Sequence, residues 1–120
     1  MKATSHPNHA FISSTDVEGT KVYDLKDNGI GTIDHLMIDK LTGKVVYAVM
    51  SFGGFLSLGH SHYPIPWSAL TYDSEVDGFR TSVKEDQLRD APAFSDDSYR
   101  SREWEARIHE HYDAPPYWGG

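Results

Sequence analysis

Gly29-Ile30-Gly31-Thr32-Ile33-Asp34-His35-Leu36-Met37-Ile38-Asp39 leads into Thr42-Gly43-Lys44-Val45-Val46-Tyr47-Ala48-Val49-Met50-Ser51-Phe52. Gly53-Gly54-Phe55-Leu56 and Tyr63-Pro64-Ile65-Pro66-Trp67 follow. The first two runs predict a hairpin of long strands, turned at Leu41-Thr42-Gly43. The next two predict a glycine-broken apolar turn and a short strand closed by Pro-Trp. Alternate prolines cannot donate to a ladder, so Tyr63 to Trp67 belongs at an edge or a barrel seam. The strand from Lys44 to Phe52 carries the most information. Its two faces, Val45-Tyr47-Val49 and Val46-Ala48-Met50-Phe52, are both apolar. A strand with one wet face alternates apolar with polar, so something must cover the second face.

Working outward, Lys21 to Leu25 predicts a first strand, turned into the second by Asp27-Asn28-Gly29. Ala69 to Asp73 and Gly78 to Val83 predict a last hairpin, and Lys84 to Arg89 a helical turn. Ser95-Asp96-Asp97-Ser98 has side-chain oxygens suited to capping a helix that would run to about Tyr112. Trp104, Ile108 and Tyr112 form a narrow apolar stripe on that helix, with Glu103 and Arg107 paired on its polar side. Pro115-Pro116 ends it and leaves Tyr117-Trp118-Gly119-Gly120 as an aromatic tail. The expected organisation is a loose arm over 1–14, one barrel domain over 15–93, and a helix with tail over 94–120.

A chain of 120 residues makes one domain that buries roughly 65% of its unfolded surface. Eleven basic against eighteen acidic side chains give a net charge of −7. Such a surface repels phosphate backbones, and Lys21, Lys26, Lys40 and Lys44 are scattered near turns, so no nucleic-acid partner is expected. With no cysteine, disulfides, thiolate metal sites and cysteine nucleophiles are all excluded. That composition suits the cytoplasm. Met1 to Ser14 lacks a cationic start followed by an apolar core, so no secretory signal is expected. No run approaches the ~20 apolar residues that span a bilayer.

Short strands, hairpin turns and edge prolines within one small domain predict an all-β antiparallel barrel of about six strands with a C-terminal α-helical extension. Gly31-Thr32-Ile33 to Ile38-Asp39, Thr42-Gly43-Lys44-Val45-Val46, Gly53-Gly54-Phe55-Leu56 and Ile65-Pro66-Trp67 together resemble the PRC-barrel family, over roughly residues 17–90. The family is named for the cytoplasmic domain of the photosynthetic reaction centre H subunit, and a related barrel occurs in a ribosome-maturation factor. The helix and the Pro-Pro-Tyr-Trp ending resemble small stand-alone bacterial members. The resemblance implies a binding or assembly module without a shared active site, hence no enzyme and no cofactor.

His60-Ser61-His62 is the sharpest metal candidate. On an extended chain i and i+2 point the same way, so His60 and His62 could share an ion with His35 as a third ligand. They would also be the contacts of an alternative function, a metal- or ligand-binding regulator beside an electron-transfer system, as the photosynthetic relative suggests. His109-Glu110-His111 reads as a solvated helix face. Asp73, Glu75, Asp77 and Gly78 fit the first half of a calcium loop, but its twelfth position is Lys84 where a bidentate Glu is required. An acidic hairpin turn is the better reading. Gly29-x-Gly31-x-x-Asp34 lacks a third glycine and precedes a strand rather than a helix. Gly59 to Tyr63 places Tyr where a nucleophile elbow needs Gly.

The interface candidates are Phe52, Phe55, Leu56 and Leu58 around the apolar turn, with Trp104, Ile108, Tyr112 and Trp118 on the helix and tail. Such residues populate interface centres. They predict a homodimer or a protein partner on the open face of strand 44–52, unless the chain's own C-terminal helix covers that face.

Overall fold

The computed structural model describes residues 11–51, 62–92 and 95–118. A short helix α1 (Ser14–Val17) precedes strands β1 (Lys21–Tyr23), β2 (Gly29–Ile38), β3 (Val45–Ser51), β4 (His62–Pro66), β5 (Leu70–Asp73) and β6 (Gly78–Thr81). Helices α2 (Glu85–Arg89) and α3 (Arg102–His111) follow, with 3-10 turns at Trp67–Ala69 and Asp96–Arg100. The six strands form one sheet in the order β4-β3-β2-β1-β6-β5. Neighbours are antiparallel except β1 and β6, which run parallel with Val22 opposite Phe79. β4 and β5 lie at opposite ends of that order, so the curled sheet is not closed by hydrogen bonds between them.

Local chemistry sets the turns. Asp24 Oδ1 accepts from the amides of Lys26 at 2.8 Å and Asn28 at 2.9 Å, and Asp27 sits at φ 69°. These bonds, Asn28 first, hold the Asp24 carboxyl below its ordinary range. Between β2 and β3, Asp39 accepts from the Leu41 amide and the Thr42 hydroxyl. Gly43 at φ 77° completes that turn in a conformation a Cβ would strain. β2 carries bulges between Ile33 and His35 and between Met37 and Ile38. Pro64 and Pro66 oppose Val49 and Tyr47, at the end of the sheet where their missing N–H groups cost no ladder bond.

Val46 to Met50 are all buried on β3, as the doubly apolar pattern requires. The cover on the Tyr47 face is the chain's own C-terminal segment. The Tyr47 ring centroid lies 5.9 Å from Trp104, 6.1 Å from Tyr99, 5.6 Å from His109 and 6.1 Å from Tyr117. Trp104, Ile108 and Tyr112 thereby join one hydrophobic cluster with Val22, Ile33 and Ile65. The helix expected to begin at Ser95 is interrupted. A 3-10 turn ends at Arg100, and Ser101 then caps α3 by accepting from the Trp104 amide at 3.1 Å. The break lets Tyr99 and Trp104 both reach Tyr47.

Candidate functional site

Four polar groups converge beneath the C-terminal segment. β3 contributes Tyr47, and one face of α3 contributes Arg102, Glu105 and His109, spaced three and four residues apart. Glu105 and His109 are 6% and 4% exposed. The Tyr47 hydroxyl donates to Glu105 Oε1 at 2.7 Å and lies 3.2 Å from His109 Nε2. The Tyr117 hydroxyl donates to the same carboxylate oxygen, while Arg102 Nη1 reaches Oε2 at 3.3 Å. Burial, and then the bond to Glu105, push the Tyr47 phenol far above its ordinary titration range. It stays a neutral donor. Glu105 is a buried carboxylate whose two oxygens have three donors between them, the arrangement that makes such burial tolerable.

The reading of His109-Glu110-His111 as a solvated face is corrected here. At about 100° per residue, His109 shares the inward face with Glu105, Ile108 and Tyr112. His111 Nε2 meets the Gln87 carbonyl oxygen at 2.6 Å, and only Glu110 of the three is exposed. Glu105 escaped the sequence reading altogether. A hint was available in its i,i+4 spacing to His109, beside the apolar stripe.

A second polar group centres on Asp34, the extra residue of the first β2 bulge. Its Oδ2 lies 2.6 Å from His35 Nδ1 and 3.6 Å from His62 Nε2. The His35 bond leads the influences that hold the Asp34 carboxyl below its usual range. Two of the three proposed metal ligands, His35 and His62, are thus brought to one carboxylate. His60 lies outside the described residues. Among the described residues no group of three or more His, Cys, Asp or Glu is placed to hold a metal ion.

A third group ties the β1–β2 turn to the last hairpin. Arg80 donates from Nε to Asp73 Oδ2 at 2.6 Å and from Nη1 to the Asp24 carbonyl at 3.1 Å, and Nη2 reaches Asp27 Oδ1 at 2.6 Å. Asp73 also accepts from the Glu75 amide, and Arg80 holds its carboxyl below the ordinary range. Asp73 and Asp77 therefore serve a hairpin turn, as the acidic-turn reading expects. Replacing Arg80 by methionine is expected to free the Asp24–Asn28 turn. Amide exchange at Lys26 and Asn28 should speed up while β2 and β3 stay protected. Unchanged exchange would show that the Asx bonds alone hold the turn.

Beside these groups lie two open grooves. One, about 510 Å³, runs between β5 and residues 112–115 and includes Leu25, Tyr72 and Pro115 in its lining. The other, about 740 Å³, extends from Asn28 to Lys84. Leu25, Thr81, Ser82 and Val83 line both. Of the interface candidates, Trp104, Ile108 and Tyr112 are buried within the chain. Trp118 is half-buried, with the Arg102 guanidinium 4.2 Å from its ring centroid. Phe52, Phe55, Leu56 and Leu58 lie outside the described residues.

A small, mostly antiparallel, six-stranded sheet folded over one core, with a C-terminal helix as its cover, places the chain among small, mostly-β domains. The PRC-barrel domain family model matches residues 9–88, and the chain belongs to that family. Among solved structures it is similar to a protein from Pseudomonas aeruginosa described as the 16S ribosomal RNA processing protein RimM. The identity is 21% and the TM-score 0.41, over 72% of this chain and 50% of that one. This chain thus spans about half the length of that structure. No curated protein matches it. No helix among the described residues is long and apolar enough to cross a membrane.

Proposed function

We propose that the chain is a non-catalytic barrel module that engages a protein partner or a second copy of itself. The observation that carries this reading is the asymmetry of the two sheet edges. On β4, Pro64 and Pro66 are buried and lack donors. Among the described residues β5 pairs only with β6, and the groove beside it is lined by Leu25, which is 68% exposed. An unpaired strand edge next to exposed apolar surface is where partners add. The buried acid–base groups, Glu105 and His109, hold the C-terminal segment, which supports a structural rather than catalytic use.

Leu25→Asp tests this surface, and Leu56→Asp tests the apolar turn read from the sequence. Sedimentation at high concentration measures self-association, and affinity capture from the native extract measures partner binding. Wild type is expected to associate or to retain a defined partner. At least one substitution should abolish that, because an aspartate at an interface centre must be desolvated. A wild-type monomer that retains nothing would sink the reading. Association that survives both substitutions would move the interface elsewhere.

A further inference from the structure

The turn between β2 and β3 holds a leucine out in solvent. The Asp39 amide donates to the Lys44 carbonyl and the Gly43 amide to the Asp39 carbonyl, both at 2.8 Å. The Asp39 carboxylate accepts from the Leu41 amide and the Thr42 hydroxyl, and Thr42 Oγ1 accepts from the Lys44 amide at 3.2 Å. Leu41 in this turn is 96% exposed, and Ile38, beside the second β2 bulge, is 57% exposed. One exposed apolar residue is ordinary. Two of them on a fixed turn, with Lys40 and Lys44 exposed alongside, make a preformed cationic knob that loses little freedom on binding.

We propose that this knob seats Leu41 in the groove between β5 and residues 112–115 of a second copy of the chain. This assignment rests on that groove being an interface, as proposed above. The groove, about 510 Å³, has Leu25, Tyr72 and Pro115 in its lining to receive an apolar side chain. Its charge is the reverse of the knob's. Arg80 is the one cation among its described lining residues, and it meets both Asp73 and Asp27 at 2.6 Å. One negative charge is therefore left over, and Asp113 on the facing wall adds another. Among the described residues, Lys40, Lys44 and Asp113 have no ion-pair partner within the chain.

Both halves of a complementary contact are thus present on one chain, at opposite ends of β2. Leu25 lies in the turn before that strand and Leu41 in the turn after it. The ten residues of β2, roughly 30 Å of strand path, separate them, so the contact forms between copies. With a net charge of −7, two copies repel over most of their surfaces. Opposite charges meet where knob and groove face each other, which selects this pairing over other contacts between copies. Because it joins two different patches, the contact repeats head to tail and either closes on itself or grows as a chain. It buries a single knob, which places it among small, transient interfaces.

Sedimentation velocity of the full chain from about 10 μM to about 1 mM is expected to show association that rises with concentration. Leu41→Asp and Leu25→Asp should each weaken it at least about tenfold. Their equimolar mixture should regain association as one-to-one complexes, since one variant keeps an intact groove and the other an intact knob. Lys44→Glu should weaken association more than Lys21→Glu, which changes the net charge equally but away from the knob. Wild-type association in Leu41→Asp would overturn the proposal, as would equal effects of the two lysine variants or a mixture no stronger than its parts. Leu41 and Lys44 are exposed turn residues, so their variants decide the matter even if Leu25→Asp fails to fold. A wild type that stays monomeric, yet retains an extract partner lost by Leu25→Asp, would overturn this pairing and leave the groove's role as an interface standing. A monomer that retains nothing would sink both.

Discussion

Replacing Trp104 by alanine is expected to lower the unfolding free energy by about 3–5 kcal/mol, measured by urea denaturation. Trp104 is 3% exposed and meets the edges of Tyr47 at 5.9 Å and Tyr99 at 5.7 Å. Removing the indole deletes buried area and leaves a cavity between α3 and β3 that a short helix cannot collapse to fill. Its neighbours include the Tyr47–Glu105–His109 cluster, so water reaching the cavity also weakens hydrogen bonds that gain from low dielectric. Stability of a domain this size is about 5–15 kcal/mol, so the change takes a large share of it. The effect should appear with loss of near-ultraviolet ellipticity from the tyrosines around Tyr47. A loss below about 1 kcal/mol, ordinary for an uninvolved site, would mean that α3 does not seat on β3 in solution.

Gly78→Ala is expected to destabilise by about 1–3 kcal/mol, the usual range for overpacking. A Cβ at Gly78 would lie 2.6 Å from the Lys21 carbonyl oxygen and 3.2 Å from Tyr23 Cε2. The first is backbone and cannot swing aside. The collision falls beside the parallel seam, where Val22 faces Phe79 and Tyr23 faces Arg80. β1 is only three residues long and pairs two of them across that seam, so shifting it separates the last hairpin from the rest of the sheet. Gly29→Ala is the internal control. Its Cβ would meet only Tyr23 Cε1, at 3.9 Å, so a change within about 0.5 kcal/mol is expected. Faster amide exchange at Val22 and Phe79 in Gly78→Ala alone would locate the damage. Equal stability of the two variants would show that the seam relaxes freely.

The strands were legible because their signals are local. The continuous apolar run of the third strand, Asp-Asn-Gly and Thr-Gly turns, and paired prolines each act within a few residues. The observed elements start and end within two residues of the expected positions on β1, β2, β3 and β4. The parallel pairing of β1 with β6 was not legible. It joins residues more than fifty positions apart, and nothing in Lys21–Tyr23 announces its second neighbour. The break at Ser101 was hidden for a related reason. Ser95 and Ser101 are both competent caps, and the choice between them is made by where Tyr99 and Trp104 meet Tyr47.

The candidate sites divide the same way. His35 and His62 were identifiable as residue types, but their common partner Asp34 turns toward them only because β2 bulges there. Glu105 and His109 looked like ordinary polar helix residues, since a helical wheel records angle and not what lies opposite.

By itself, the sequence determined the strand order along the chain, the turns, the prolines suited to a sheet edge and the family, because backbone dihedral preferences and burial periodicity are properties of neighbours. It also determined that the second face of β3 must be covered. Only the tertiary structure decided that the cover is the chain's own C-terminal helix, and that a carboxylate and an imidazole are buried beneath it. Burying a polar group depends on partners that arrive from distant segments, here Tyr47 and Tyr117 around Glu105, and their convergence exists only once the chain has folded.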